Sequence, residues 1–277
     1  MSSGPSLLVV AATIAVENAV RYSIAASIGW FGVHKWLGKK LWSRKVLQRG
    51  PDAGQIRREL LWSLSSVLVY GVVGAATIGA ARAGWTRTYW KLDERGWPWF
   101  VASIALVIVV HDAWFYWTHR AMHHPRLFRV FHRTHHLSTN PTSWAAYAFS
   151  PWEAAVQAGI FPLVAFTLPV HPLAFLAFMI WQIAFNVLGH QGYELYPRRF
   201  LADWRGRVFN TTTHHALHHE RFAGNYSLYF QHWDRWCGTN LPEYRARFEE
   251  VVGRGTEPKP RYTAVSGERG ADQATTS

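Results

Sequence analysis

The sequence predicts an all-α integral membrane protein with about four transmembrane helices and a helical, histidine-rich cap on the cytoplasmic side. Three observations point there. Apolar blocks of membrane-crossing length alternate with strongly polar ones: 49% of the 277 residues are hydrophobic, yet the mean hydropathy is close to neutral. The basic residues, which give a formal charge of +12, crowd beside the apolar blocks, as the positive-inside rule and attraction to anionic lipid require. Histidines, 15 in all, gather in spaced clusters that follow the apolar blocks. The charge therefore reports a membrane, and nucleic acid is not an expected partner. Cys237 is the only cysteine, which excludes an intrachain disulfide and any thiolate-rich metal site.

Residues 6–33 open with LLVVAATIAVENAV. Without a basic start or small cleavage-site residues this is a first membrane helix and not a signal peptide, with Glu17 and Arg21 spaced to pair one turn apart. Residues 34–59 hold Lys35, Lys39, Lys40, Arg44, Lys45, Arg49, Arg57 and Arg58 against Asp52 and Glu59, the composition of a cytoplasmic loop. Residues 60–83 carry no charge before Arg82 and form a second span, with Gly and Ala for close packing. The loop at 84–97 nearly balances its charges and holds Trp85, Tyr89, Trp90 and Trp97, as at the outer bilayer surface. Pro98 starts a third span, which delivers His119 and His123 to the inner side. Residues 152–189 are apolar but broken by Pro162, Pro169 and Pro172, which predicts two shorter segments with a turn near 169–172. From 191 onward no segment is long enough to cross, and beyond about residue 252 the polar, Pro/Gly-rich sequence predicts a disordered tail.

The histidine spacing carries the chemistry. His119 and His123 are four apart, His132, His135 and His136 follow, and the second spacing returns as His215, His218 and His219. Positions three and four apart share a helix face, so each cluster can aim several imidazoles at one point. Eight or more such ligands exceed what one tetrahedral or octahedral ion accepts, and two ions fit the supply better.

The string DAWFYWTHRAMHHPRLFRVFHRTHH, followed by PTSWAAYAFSPWE, HQGYE and HHALHHERFAGNYSLYFQHWDRWCGT, resembles the sterol desaturase/fatty acid hydroxylase superfamily over roughly residues 108–240. Its LFR, HRTHH and PTSWAAYAF portions are more similar to the sterol C5-desaturase branch than to carotenoid hydroxylases. The resemblance implies a non-haem di-iron centre with dioxygen as co-substrate, and hydroxylation or desaturation of a sterol, fatty acyl chain or related lipid. Electrons would come from an external donor, a cytochrome b5-like protein or a ferredoxin with its reductase. The chain would then divide into N-terminal membrane helices with their basic loop (1–97), a fatty acid hydroxylase-like catalytic unit of membrane helices plus cytoplasmic cap (98–251) and the tail (252–277).

The expected metal ligands are His119, His123, His132, His135, His136, His190, His215, His218 and His219; His190 enters through its HQGYE context, which resembles the family's fifth element. Asp112, Asn225 and Asp234 are the expected supporting polar residues around the ligands. His34, His171 and His232 read as loop or interface residues, and His124 and His214 fall one residue outside the repeated spacing. His111 and Asp112, two turns before His119, are placed where either could face the metals. The aromatic run Trp114–Trp117 with Trp144, Tyr147 and Phe149 is a candidate lipid entry. Two other classes compete: a metal transporter, which needs ligands along a path through mid-membrane, and a zinc-dependent membrane hydrolase, which needs an open coordination position and a general base.

Overall fold

The computed structural model describes residues 4–255. Helix α1 (Leu7–Ser27) starts where the Ser6 hydroxyl accepts the Val9 amide, and continues as a wider π-type helix through Ile28–Trp36. α2 (Ala53–Arg82) starts at Asp52, whose carboxylate accepts the Gln55 amide. α3 (Gly96–Met122) follows the aromatic loop and leads into the short α4 (Pro125–Phe131) and α5 (Arg133–His136). A 3₁₀ turn at Ser143–Tyr147 precedes α6 (Pro151–Ala158) and α7 (Ile160–Thr167). α8 (Pro172–His190) begins at His171, whose ring accepts the Leu173 amide. The cap is completed by α9 (Trp204–Val208), α10 (Thr212–Arg221), α11 (His232–Trp236) and α12 (Tyr244–Gly253). Among the described residues there are no strands, only isolated bridges at Lys45–Tyr193 and Phe209–Phe230.

Four helices, within Leu7–Trp36, Gly54–Arg82, Gly96–Met122 and Pro172–His190, are long and apolar enough to cross a membrane. The 27 residues of α3 rise about 40 Å, enough for a hydrocarbon core of about 30 Å. Val16, Val20, Ile24, Leu64, Leu68, Val72, Val109 and Ile180 are exposed on these helices, which is the surface lipid would cover. Inside, Tyr22, Tyr70, Tyr147, Phe161 and Phe178 pack with small Ala residues of α1, α6 and α8. Glu17 and Arg21 pair as their spacing predicts, and Asn18 joins them. The break expected near 169–172 occurs between α7 and α8, and a second falls at Gly159, where a Cβ would meet the Trp114 ring at 2.7 Å. The helix α12 carries order through Gly253 with Val252 buried; the rest of the expected disordered tail, from residue 256, lies outside the described residues.

The segment between α5 and α6 is held by the first two helices. The Tyr22 and Ser63 hydroxyls donate to the Trp144 carbonyl at 2.8 and 3.1 Å, Gln55 donates to the Asn140 carbonyl at 2.7 Å, and the Thr142 hydroxyl donates to Glu59 at 2.5 Å. The basic loop before α2 runs under the cap: Lys45 is buried over the Tyr193 ring, His34 bonds the Gln191 carbonyl, and Arg254 donates to the Lys45 carbonyl. The basic segment and the histidines therefore lie at the same end of the bundle.

Candidate metal centre

All nine of the expected imidazoles converge at that end, in two adjoining groups. His119, His123, His132, His136 and His218 form one, and His135, His190, His215 and His219 the other; within each group the ligating nitrogens lie within 4.8 Å of one another. The alternation in His132-x2-His135-His136 and His215-x2-His218-His219 explains the division. Successive residues on a helix point about 100° apart, so His135 and His136 face different groups, as do His218 and His219.

Local structure fixes which nitrogen each ring presents. The Nδ1 atoms of His119 and His218 lie 2.7 Å from the carbonyls of Tyr226 and Gly224, and Nδ1 of His190 lies 2.8 Å from the Asn186 carbonyl one turn earlier. Nδ1 of His132 lies 2.7 Å from Oε1 of Glu153, and both side chains are 1% exposed. A carbonyl oxygen only accepts, so in His119, His190 and His218 Nδ1 carries the proton and Nε2 presents a lone pair; burial pushes the Glu153 carboxyl well up, and it orients His132 the same way when a cation in the site holds it ionised. Yet Nε2 of His119 lies 2.9 Å from Nε2 of His132, and the Nε2 atoms of His190 and His215 are equally close. Neutral rings at that distance either share a proton in an N–H···N hydrogen bond or, with both nitrogens bare, turn their lone pairs on a common cation. Burial, followed by mutual repulsion, holds His132, His135, His136, His215, His218 and His219 well below the usual imidazole range, and His123 is pushed down to about 3, so a proton is a poor occupant. The donor set fits metal ions. The Nδ1 atoms of His136, His215 and His219 have no partner among the described residues, so packing orients those rings, and the Ala148 carbonyl lies beside His135.

The loop after α10 supplies the acceptors by backbone geometry. Phe222, Gly224 and Asn225 all have positive φ, and a Cβ on Gly224 would come within 2.9 Å of the Thr239 carbonyl. The reversal returns the chain so that the Gly224 and Tyr226 carbonyls meet His218 and His119. At the other end of α10, buried Glu194 accepts the Thr213 amide and hydroxyl at 2.9 and 2.7 Å. Burial pushes that carboxyl up, against the Thr213 hydrogen bonds.

The three expected supporting residues lie one step further out, and among the described residues none of them bonds one of the nine imidazoles. Asp112 accepts the Tyr229 and Phe230 amides at 3.3 Å, with His232 at 3.4 Å. Asn225 donates to the His214 carbonyl and accepts the Leu241 amide. Asp234 accepts the amides of Tyr226 and Ser227 at 2.9 Å and the Thr239 hydroxyl. Burial opposes its charge, but His214 beside it and these donors outweigh that and hold it well below the ordinary carboxylate range. Asn225 and Asp234 secure the turn that carries the Gly224 and Tyr226 carbonyls, and Asp112 ties residues 229 and 230 to α3. His111 does not face the metal groups; it packs on Phe178 and Tyr229. His124 accepts the Arg126 amide at the start of α4, and buried His214 lies 3.4 Å from Asp234. Of the aromatic candidates, Phe115, Tyr147 and Phe149 line an internal cavity, whereas Trp114 bonds the Val156 carbonyl and Trp117 is exposed. Sequence reasoning missed Glu153. Its signal was the Ser-Pro-Trp-Glu start of α6, where Ser150 accepts the Glu153 amide and fixes the acid in the first turn.

Comparison with known proteins bears on this arrangement. A family model for fatty acid hydroxylase matches residues 104–239. The chain is 29% identical over 192 residues to a Delta(7)-sterol 5(6)-desaturase of Gibberella zeae, covering 68% of this chain and 58% of that protein. It is 27% identical to lathosterol oxidase of Rattus norvegicus, covering 67% and 61%. A Delta(7)-sterol 5(6)-desaturase of Schizosaccharomyces pombe is 29% identical over 269 residues, 91% of this chain and 77% of that protein. The chain spans less than two thirds of the length of the Gibberella and rat proteins. No solved structure matches it. The matched segment contains all nine converging histidines, on a helical architecture with four membrane-length helices: the chain belongs to the sterol desaturase/fatty acid hydroxylase superfamily.

Proposed function

We propose that the protein is a membrane-bound, dioxygen-dependent oxidoreductase that hydroxylates or desaturates a lipid, a sterol or related molecule, at a non-haem pair of iron ions. The observation that carries the reading is the gathering of nine buried or half-buried imidazoles into two adjoining groups, with Nε2 atoms of neighbouring rings 2.9–3.2 Å apart. His119, His123, His132, His136 and His218 would hold one ion, and His135, His190, His215 and His219 the other. Iron so held supplies the oxidising power, drawn from dioxygen, that removal of hydrogen from an unactivated carbon needs, which fixed-valence zinc does not.

The chain's own residues orient and isolate this centre. The carbonyls of Asn186, Gly224 and Tyr226 fix the tautomers of His190, His218 and His119, and Glu153 does so for His132 while bringing negative charge to a cationic site. Towards the membrane interior, the Phe115 and Phe149 rings lie 5.0 Å from those of His119 and His135. On the opposite side, Phe128 and Phe222 cover His123 and His136. These aromatic layers keep bulk water from the reacting carbon. The substrate arrives from the bilayer, and electrons come from a separate carrier, a cytochrome b5-like protein or a ferredoxin with its reductase. The basic segment at the same end of the bundle supports a cytoplasmic orientation of the centre.

The test is metal analysis joined to lipid analysis. Protein from an iron-replete host should hold about two irons per chain, as the ligand supply requires. Lipids of the host should show a gain of one oxygen or a loss of two hydrogens that depends on dioxygen. Stoichiometric zinc with no dioxygen-dependent turnover would overturn the proposal.

A further inference from the structure

Two cavities lie one behind the other inside the helix bundle. The larger, about 270 Å³, lies among α1, α2, α7 and α8, with Ile14, Gly74, Ile78, Val164 and Leu176 in its wall. Glu17, Asn18 and Arg21 reach it but bond one another. The smaller, about 20 Å³, shares Phe161 and Met179 with the first and lies deeper, against Phe115 and Phe149. It is therefore one aromatic ring away from His119 and His135.

The deep cavity has room for one water-sized group. Three of its lining residues nevertheless carry buried polar atoms without a partner: His111 Nδ1, Gln157 Nε2 and Asn186 Oδ1. The residues are 3%, 8% and 1% exposed, so leaving them unsatisfied is costly. Asn186 Nδ2 already donates to the Ala146 carbonyl, which fixes its Oδ1 as an acceptor facing a different demand. Gln157 offers a donor, and neutral His111 offers either. A hydroxyl, which donates once and accepts twice, satisfies this set. An alkyl end leaves every atom unpaired, and a carboxylate brings a charge to a lining that contains no cation.

We propose that the deep cavity binds the hydroxyl of the lipid substrate while the larger cavity holds its apolar body. The proposal rests on the lipid-oxidase reading above and adds to it the residues that would read the hydroxyl of such a substrate. His111, Gln157 and Asn186 become specificity-determining residues that touch the substrate, a role the metal groups do not need from them.

The experiment measures binding without turnover, on purified full-length protein in detergent under nitrogen. The probes are a radiolabelled Δ7-sterol and its 3-deoxy analogue. The wild type should bind the alcohol at least about tenfold more tightly, the scale of one or two buried hydrogen bonds. Gln157→Leu, and separately His111→Phe, should bring the preference to within about threefold while leaving affinity for the deoxy analogue and the iron content unchanged. Equal binding of both probes by the wild type would mean that the cavity holds water only, and would overturn the proposal. So would a preference that survives both substitutions, or failure to bind either probe. Because no oxidation is measured, an inactive enzyme leaves this test intact.

Discussion

Glu153 offers the sharpest probe of the metal centre. Its Oε1 lies 2.7 Å from Nδ1 of His132, and neither side chain is more than 1% exposed, so solvent does not screen the contact. Burial pushes the Glu153 carboxyl up, and bound iron would hold it ionised; a hydrogen bond to a charged group is then worth about 1.5–3 kcal/mol, or roughly 10–150-fold in a binding constant. Glu153→Gln keeps an acceptor near Nδ1 but removes the charge, and should weaken iron binding at the five-histidine group by about tenfold. Glu153→Leu removes the acceptor as well and should weaken it by about 10–100-fold, the usual range for such partners. The effect should be selective, because His132 belongs to one group only. Competition with a graded chelator, followed by metal analysis, should show the leucine variant falling from about two irons per chain to about one. Retention of both irons at wild-type affinity would refute the orienting role. Loss of both irons, with detergent-column elution unchanged, would refute the division into separate groups.

Four further outcomes are expected. His218→Ala should lose iron from the same group and all lipid oxidation while the helices remain inserted, as read by protection from protease in vesicles. Acid should destabilise the metal-free protein: unfolded imidazoles titrate near 6.5 whereas His123 folds at about 3 and six others lie well below 6.5, so between those values the unfolded chain binds more protons. Each such ring removes up to about 1.4 kcal/mol per pH unit as pH falls below about 6.5, and a melting temperature that stays flat from about pH 7 to about pH 5 would contradict this. Gly224→Ala forces a side chain onto φ +69 against the Thr239 carbonyl and should cost about 1–3 kcal/mol of stability, seen as a lower melting temperature together with weaker iron binding through His218. Finally, with Cys237 replaced by Ser, a cysteine at exposed Lys39 should react with impermeant reagent only from the cytoplasmic side, and one at exposed Trp85 only from the other.

The histidines were legible in the sequence because helical spacing converts directly into direction: rings three and four apart can meet, and two copies of one spacing implied more than one ion. The membrane helices were legible from length and apolarity alone. What the sequence hid is what depends on backbone. The acceptors for His119, His190 and His218 are carbonyls of Tyr226, Asn186 and Gly224, and every residue has a carbonyl, so none stands out in a string of letters. Asp112, Asn225 and Asp234 attracted attention as polar residues near the clusters, yet the loop amides compete for them and win. Glu153 escaped because seventeen positions and a 3₁₀ turn separate it from His136. Only the fold brings it back against His132.

The grip of the first two helices on residues 140–144 has a practical consequence for protein engineering. Tyr22, Gln55, Glu59 and Ser63 hold the strand of chain that leaves His136, so a chimera that joins α3 onward to the leading helices of a relative would inherit ill-matched clamps. Donor exchanges between relatives should move both leading helices together with the histidine-bearing half, or rebuild those four contacts at the seam.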